Sequence, residues 1–174
     1  SGRFLSVLLS VPASRHPLFT RIRSVQTHST YFKENSMAVV YTAFCTDIIH
    51  EGHLNIIRNA QRYGEVVLGA LSDKALIRYN KFPTISQDER IRLYESLEGV
   101  SRVIVQDDYL YDAVIEQLRP DYVIHGDNWQ SGPESVIRAN VLDLLSRFGG
   151  ELIEVTYTRS EEARKIDQQL REKL

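Results

Sequence analysis

Between residues 38 and 155, short apolar runs alternate with helix-like stretches, and this alternation restricts the chain to few architectures. The runs at 38–44, 65–71, 102–105, 121–124 and 151–155 read as strands. Between them Leu54, Ile57 and Ala60 share one helical face, as do Val136, Val141, Leu144 and Leu145. Ser86 and Glu89 form an S-x-x-E capping box, which opens a helix running through Leu97. Strands that alternate with helices pair in parallel, because each crossover helix returns the chain to the same end of the sheet, and the helices cover both faces. The expected fold is therefore α/β: a doubly wound, Rossmann-like, five-stranded parallel sheet with helices on both faces. In such a sheet ligands bind beyond the carboxyl ends of the strands, at the topological switch point.

The chain has the size for one such domain. Its 174 residues, 43% hydrophobic and 25% charged, suit a compact unit with a real core. A formal net charge of -2 gives no field to hold the chain as a whole on nucleic acid or an anionic membrane, so neither is expected as a partner. Cys45 is the single cysteine, which excludes an intramolecular disulfide and fits a reducing compartment. No apolar run approaches the roughly 18 residues that a membrane span needs. Residues 1–36 differ from the rest: Arg3, Arg15, Arg21, Arg23 and Lys33 stand against the single acid Glu34, among many serines. That composition suits either a mitochondrial transit peptide or a disordered arm or leader. The folded domain is expected over 37–174, beginning at Met37. Its expected location is the cytoplasm, or the mitochondrion if residues 1–36 are a targeting segment.

The motif that carries chemistry follows the first strand: Asp47-Ile48-Ile49-His50-Glu51-Gly52-His53, running directly into a helix. His-x-Gly-His at that place sets two imidazoles at the positive end of the helix, and Gly52 leaves room for a phosphate to approach the backbone. Such a site suits phosphoryl transfer, in which catalysis is mostly positioning and neutralisation of charge on the oxygens around phosphorus. Two other readings stand beside this one. The imidazoles can be ordinary surface or capping residues, or they can share a zinc ion with Cys45 and Asp47, although the chain has no paired cysteine motif. Cys45 itself reads as a nucleophile or as a small residue buried at a strand end.

The motif resembles the signature of the cytidylyltransferase family, the same His-x-Gly-His after strand one, and the resemblance spans about residues 39–158. More narrowly, Asp121-Tyr122-Val123-Ile124-His125-Gly126-Asp127-Asn128-Trp129, with Gly149-Gly150-Glu151-Leu152-Ile153-Glu154 and Tyr157-Thr158 downstream, looks like the cytidylyltransferase domains that accompany phosphoenolpyruvate mutase in phosphonate biosynthesis. The resemblance implies transfer of CMP from CTP to a small phosphonate or phosphate monoester, such as 2-aminoethylphosphonate, 2-hydroxyethylphosphonate or phosphocholine, with release of pyrophosphate. It implies Mg²⁺ carried with CTP and no metal site built by the protein. It also implies a homodimer, and fusion or pathway association with phosphoenolpyruvate mutase.

The implied catalytic residues are His50, His53 and Lys81. His50 and His53 would contact the CTP phosphates and stabilise the pentacoordinate transition state as an acceptor oxygen attacks the α-phosphorus in line. Nucleotide contacts are implied for Thr42, Ala43, Phe44, Asp47, Gly52, His53, Asp127, Trp129 and Arg159, with Asp127 and Trp129 holding the cytidine. Lys81, in the irregular stretch 79–83, and Arg90, in the first turns of the capped helix, are the expected acceptor binders. The plainer alternatives are a solvated loop lysine, a helix-surface arginine and, for Trp129, a partly buried anchor.

Two places depart from the family pattern. Asn80 and then Lys81 stand where mutase-associated domains usually carry a lysine followed by another basic residue. After Tyr157-Thr158 the chain runs Arg159-Ser160-Glu161-Glu162-Ala163-Arg164-Lys165 in place of the usual Ile-Ser-Ser/Thr-Thr. Ser160 still suits an N-cap and Arg159 supplies charge, whereas Glu161 and Glu162 repel a triphosphate at close range. An active transferase is thus set against a catalytically weak nucleotide-binding module of a larger phosphonate-pathway protein. An adenylyltransferase using ATP is the third reading.

Overall fold

The computed structural model describes residues 37–79 and 81–172. The N-terminal extension at 1–36, and the targeting question with it, lies outside the described residues, as does Asn80. Five strands form one parallel sheet: β1 (Val39–Phe44), β2 (Glu65–Leu71), β3 (Arg102–Gln106), β4 (Tyr122–Gly126) and β5 (Glu151–Val155). Their order is β3-β2-β1-β4-β5, so the chain winds outward from the centre in one direction, then returns to β1 and winds out in the other. The reversal between β1 and β4 is the switch point, and it opens a crevice at their carboxyl ends. The fold is the Rossmann-like α/β arrangement that the alternating runs predict.

Among the described residues, five α-helices connect the strands, α1 (Glu51–Ala60), α2 (Asp73–Arg78), α3 (Gln87–Glu95), α4 (Asp112–Leu118) and α5 (Ser135–Phe148), and α6 (Glu161–Arg171) follows β5. Because side chains alternate across a strand, β1 feeds two cores at once. Val40 and Phe44 pack with Ile56, Ile57 and Ala60 of α1 and Tyr94 of α3. Tyr41 points the other way, into a core with Val114 and Ile115 of α4 and Val141, Leu144 and Leu145 of α5. Full burial of each such aliphatic side chain stabilises the fold by about 1.5–3 kcal/mol before entropy is counted.

The Ser86–Glu89 capping box forms as expected, with Ser86 N–H donating to Glu89 Oε2 at 3.0 Å and Glu89 N–H to Ser86 Oγ at 3.4 Å. The helix it opens ends at Glu95 instead of Leu97. One expected core position is wrong. Val136 is 69% exposed, because five residues carry it about 140° round the helix from Val141. Ile137, one turn before Val141, packs against that core instead.

Candidate active site

The His-x-Gly-His sequence is itself the cap of α1. His50 is the N-cap residue, in extended conformation, and its Nδ1 accepts from the Gly52 N–H at 3.0 Å. His53, in the first turn, turns its Nδ1 back to accept from the His50 N–H at 3.4 Å. This is the reciprocal arrangement that Ser and Glu usually make, built here from two imidazoles. A backbone N–H can only donate, so both Nδ1 atoms are unprotonated. In the neutral rings the single proton therefore sits on Nε2, and each imidazole carries one N–H donor away from the helix.

The rings lie 4.2 Å apart, centroid to centroid, and Phe44 meets His53 edge-on at 4.7 Å. Burial, reinforced by the neighbouring His50, pushes the His53 pKa down to about 4, and burial also lowers that of His50. Near neutral pH the pair is therefore two neutral donors and not two cations. Gly52 also has a steric reason to lack a side chain. A Cβ there would run into the Thr158 carbonyl and come within 2.8 Å of His50 Cε1, so Gly52 lets the segment between β5 and α6 close over the cap.

Lys81 reaches the site on a loop held at both ends. Asp47 Oδ2 accepts from the Thr84 hydroxyl at 2.5 Å, from the Ile85 N–H at 3.1 Å and from the Thr84 N–H. Burial alone raises the Asp47 pKa, but the Thr84 and Ile85 hydrogen bonds outweigh it and leave the carboxyl below its usual value. Arg90 fastens the other side. Its guanidinium is 1% exposed and donates to Asp73 Oδ1 at 2.7 Å, to Leu71 O at 2.8 Å and to Ile85 O at 3.1 Å. The ammonium of Lys81 has no hydrogen bond or ion pair among the described residues.

Two chambers meet at this point. An outer one of about 450 Å³ is lined by His50, Arg159, Ser160, Glu161 and Arg164, among others. Ser160 caps α6, accepting from the Ala163 N–H at 3.1 Å, and Arg164 Nε donates to Glu161 at 2.9 Å, which offsets part of the acidic charge there. An inner chamber of about 210 Å³ runs back under α5, lined by Tyr109, Tyr111, His125, Trp129 and Glu134, among others. Cys45, His53, Lys81, Asn128 and Tyr157 line both. A larger cavity of about 680 Å³ lies between β3 and α4 and contains none of these groups.

The family model for cytidylyltransferase-like proteins matches residues 44–160, more than half of the 174 residues. The chain belongs to the cytidylyltransferase-like family. It is 32% identical over 133 residues to the bifunctional protein HldE of Syntrophotalea carbinolica, covering 74% of this chain and 26% of that protein. To the bifunctional protein HldE of Magnetococcus marinus it is 32% identical over 127 residues, covering 70% of this chain and 25% of the relative. The chain thus spans about a quarter of the length of these relatives. In fold it is similar to the lipopolysaccharide core biosynthesis protein from Thermoplasma volcanium, with a TM-score of 0.59 and 20% identity, over 72% of this chain and all of the other. This is a nucleotidyltransferase-like family, so the two chambers belong to a transferase-type fold.

Set against the residues expected for such a family member, the structure gathers some and disperses others. His50, His53, Lys81 and Arg159 converge on the outer chamber. Ala43, Phe44 and Trp129 line the inner chamber, away from Arg159. Thr42, Asp47, Gly52 and Asp127 line neither: Thr42 is buried, its hydroxyl without a hydrogen-bond partner among the described residues, and Asp127 Oδ1 accepts from the Tyr157 N–H at 3.0 Å, tying the end of β4 to the segment after β5. Arg90, expected to bind the acceptor, is walled in by backbone carbonyls and Asp73, and holds the Lys81 loop instead. A zinc reading finds no support in the rings, whose Nδ1 atoms are occupied, nor in any group of three metal-binding side chains among the described residues. Three groups at the site went unassigned from sequence: Glu134, His125 and Glu154. The last shows its signal only afterwards, as an acid inside the apolar β5.

Proposed function

We propose that the chain transfers CMP from CTP to a small phosphonate or phosphate monoester and releases pyrophosphate. The observation that carries the reading is the pair of Nε2–H donors at the start of α1, beside an unpaired lysine, where two chambers join. The outer chamber offers Arg159, Arg164 and the capped start of α6, which suits a triphosphate. The inner one is small and aromatic, which suits a small acceptor. His53 and Lys81 line both, so the reacting phosphorus belongs between them.

The acceptor oxygen is already anionic near neutral pH and needs no base. It attacks the α-phosphorus, a new O–P bond forms as the bridging α–β O–P bond breaks, and pyrophosphate leaves on the outer side. His50 and His53 donate to the non-bridging oxygens as their charge grows, and Lys81 supplies the positive charge that neutral imidazoles lack. Among the described residues no three His, Cys, Asp or Glu side chains are grouped to hold a metal, and Glu161 is the one carboxylate on the outer chamber. That donor set fits Mg²⁺ carried on the triphosphate oxygens, where it would neutralise phosphate charge. The family description supports the choice of CTP. The length of the bifunctional relatives supports a place in, or beside, a larger pathway protein, for which association with phosphoenolpyruvate mutase is the proposal.

Pyrophosphate release measured with CTP, ATP, GTP and UTP against 2-aminoethylphosphonate, 2-hydroxyethylphosphonate and phosphocholine tests this reading. Turnover is expected with CTP and at least one acceptor. Turnover with ATP alone would make the chain an adenylyltransferase, and none with any pair would leave a nucleotide-binding module.

A further inference from the structure

We propose that His125 is a specificity-determining residue of the inner chamber, where its Nε2 lone pair accepts a hydrogen bond from an N–H or O–H of the acceptor, and that Trp129, Glu154 and Arg138 are the positioning residues that aim it. Assigning the inner chamber to the acceptor rests on the transferase reading above. His125 Nδ1 lies 2.8 Å from the Gly126 carbonyl oxygen. A carbonyl can only accept, so this nitrogen carries the ring's proton and Nε2 is bare. That is the opposite tautomer to His50 and His53. The ring lines the inner chamber, and its Nε2 has no hydrogen-bond partner among the described residues.

The ring is held by a stacked partner and the network behind it. The Trp129 indole stacks on it, with centroids 3.7 Å apart and planes 13° from parallel. Trp129, 1% exposed, donates its Nε1–H to Glu154 Oε1 at 2.7 Å. The same carboxylate accepts from Arg138 Nε at 2.9 Å, from Arg138 Nη2 at 2.8 Å and from Gln130 Nε2 at 3.1 Å. Rotating the stack would break a charged, bidentate network, so the lone pair keeps one direction. Burial lowers the His125 pKa, and the opposing influence of Gly126, Glu134 and Glu154 does not overcome it. The lone pair therefore remains free near neutral pH. A fixed lone pair rewards a ligand donor and rejects a ligand that offers none, because the nitrogen is then left unpaired.

Trp129 is the single tryptophan of the chain, so its fluorescence reports on this stack directly. The test titrates the full chain with 2-hydroxyethylphosphonate and with ethylphosphonate, which lacks the hydroxyl, at a pH where both are dianions. The hydroxyl compound is expected to bind about tenfold more tightly. His125→Phe keeps a stacking ring but has no lone pair; it should bring that ratio to about one and leave the CTP titration midpoint unchanged. Glu154→Gln should shift the Trp129 emission and reduce the ratio, again without changing CTP binding. Equal affinities in the wild type, no binding of either phosphonate, or an unchanged ratio in His125→Phe would each overturn the proposal. The wild-type comparison decides even if a variant fails to fold. Intact discrimination without pyrophosphate release from any pair would sink the transferase reading alone, whereas turnover without discrimination would sink only the role of His125.

Discussion

The amide N–H of Gly52 donates to Nδ1 of His50 at 3.0 Å. The bond caps α1 and, in the same stroke, decides which nitrogen of the ring faces the cleft. Helix stability and ligand binding are thereby coupled through one side chain, and substitutions can separate them.

His50→Ala removes both properties, and His50→Ser restores only the cap. The alanine variant should lose about 1 kcal/mol of stability and roughly 100-fold in kcat/KM. The serine variant should recover the urea midpoint but not the turnover. Recovery of turnover with serine would show that the ring acts only as a cap.

The pKa of His53 is pushed down to about 4 from an ordinary 6.5. Between those values the unfolded chain binds a proton that the folded chain refuses. Stability should therefore be full above about pH 6.5 and fall as the pH drops toward 4, by on the order of 3 kcal/mol from this group. His50 and His125 shift in the same direction, so His53→Gln isolates the contribution. Urea midpoints from pH 7.5 to 4.5 should fall less steeply in that variant. Parallel curves would contradict the burial of a neutral ring.

Lys81 and Arg90 look alike in sequence and differ in the fold. Arg90→Ala strands the Leu71 and Ile85 carbonyls and should cost about 3 kcal/mol of stability, with activity lost through the displaced loop. Lys81→Ala should leave the urea midpoint within about 0.5 kcal/mol of wild type and lower kcat/KM at least tenfold. The reverse assignment of effects would return Arg90 to the ligand site.

Arg159 is exposed and lines only the outer chamber. Arg159→Ala should raise the KM for CTP several-fold and the KM for the acceptor little, because a guanidinium pairs two phosphate oxygens of one ligand. Equal changes in both constants would mean that the two ligands are not divided between the chambers in this way.

The strands were legible because each is a short apolar run between polar breaks; the β2 and β5 bounds match the expectation residue for residue. Helices α2 and α4, of six and seven residues, are too short for apolar periodicity to register. Val136 misled because valine is apolar wherever it points, and only the phase of α5 tells it from Ile137.

The site was legible where one local pattern fixes it. His-x-Gly-His placed two rings on a helix start, and the strand before it located the cleft. Arg90 was misread because a charged helix residue is usually solvated, whereas its three partners come from Leu71, Asp73 and Ile85. Glu154 and Arg138 lie sixteen residues apart, and nothing local announces that they meet around Trp129.

Nitrogen-15 NMR of the imidazole side chains at pH 7 tests the central claim most directly, that His50 and His53 present neutral Nε2–H donors to a nucleotide. Both rings are predicted in the Nε2–H form, with both signals shifting when CTP and Mg²⁺ are added. Either ring as imidazolium or in the Nδ1–H form at that pH, or signals that stay unmoved by every nucleoside triphosphate, would contradict the account.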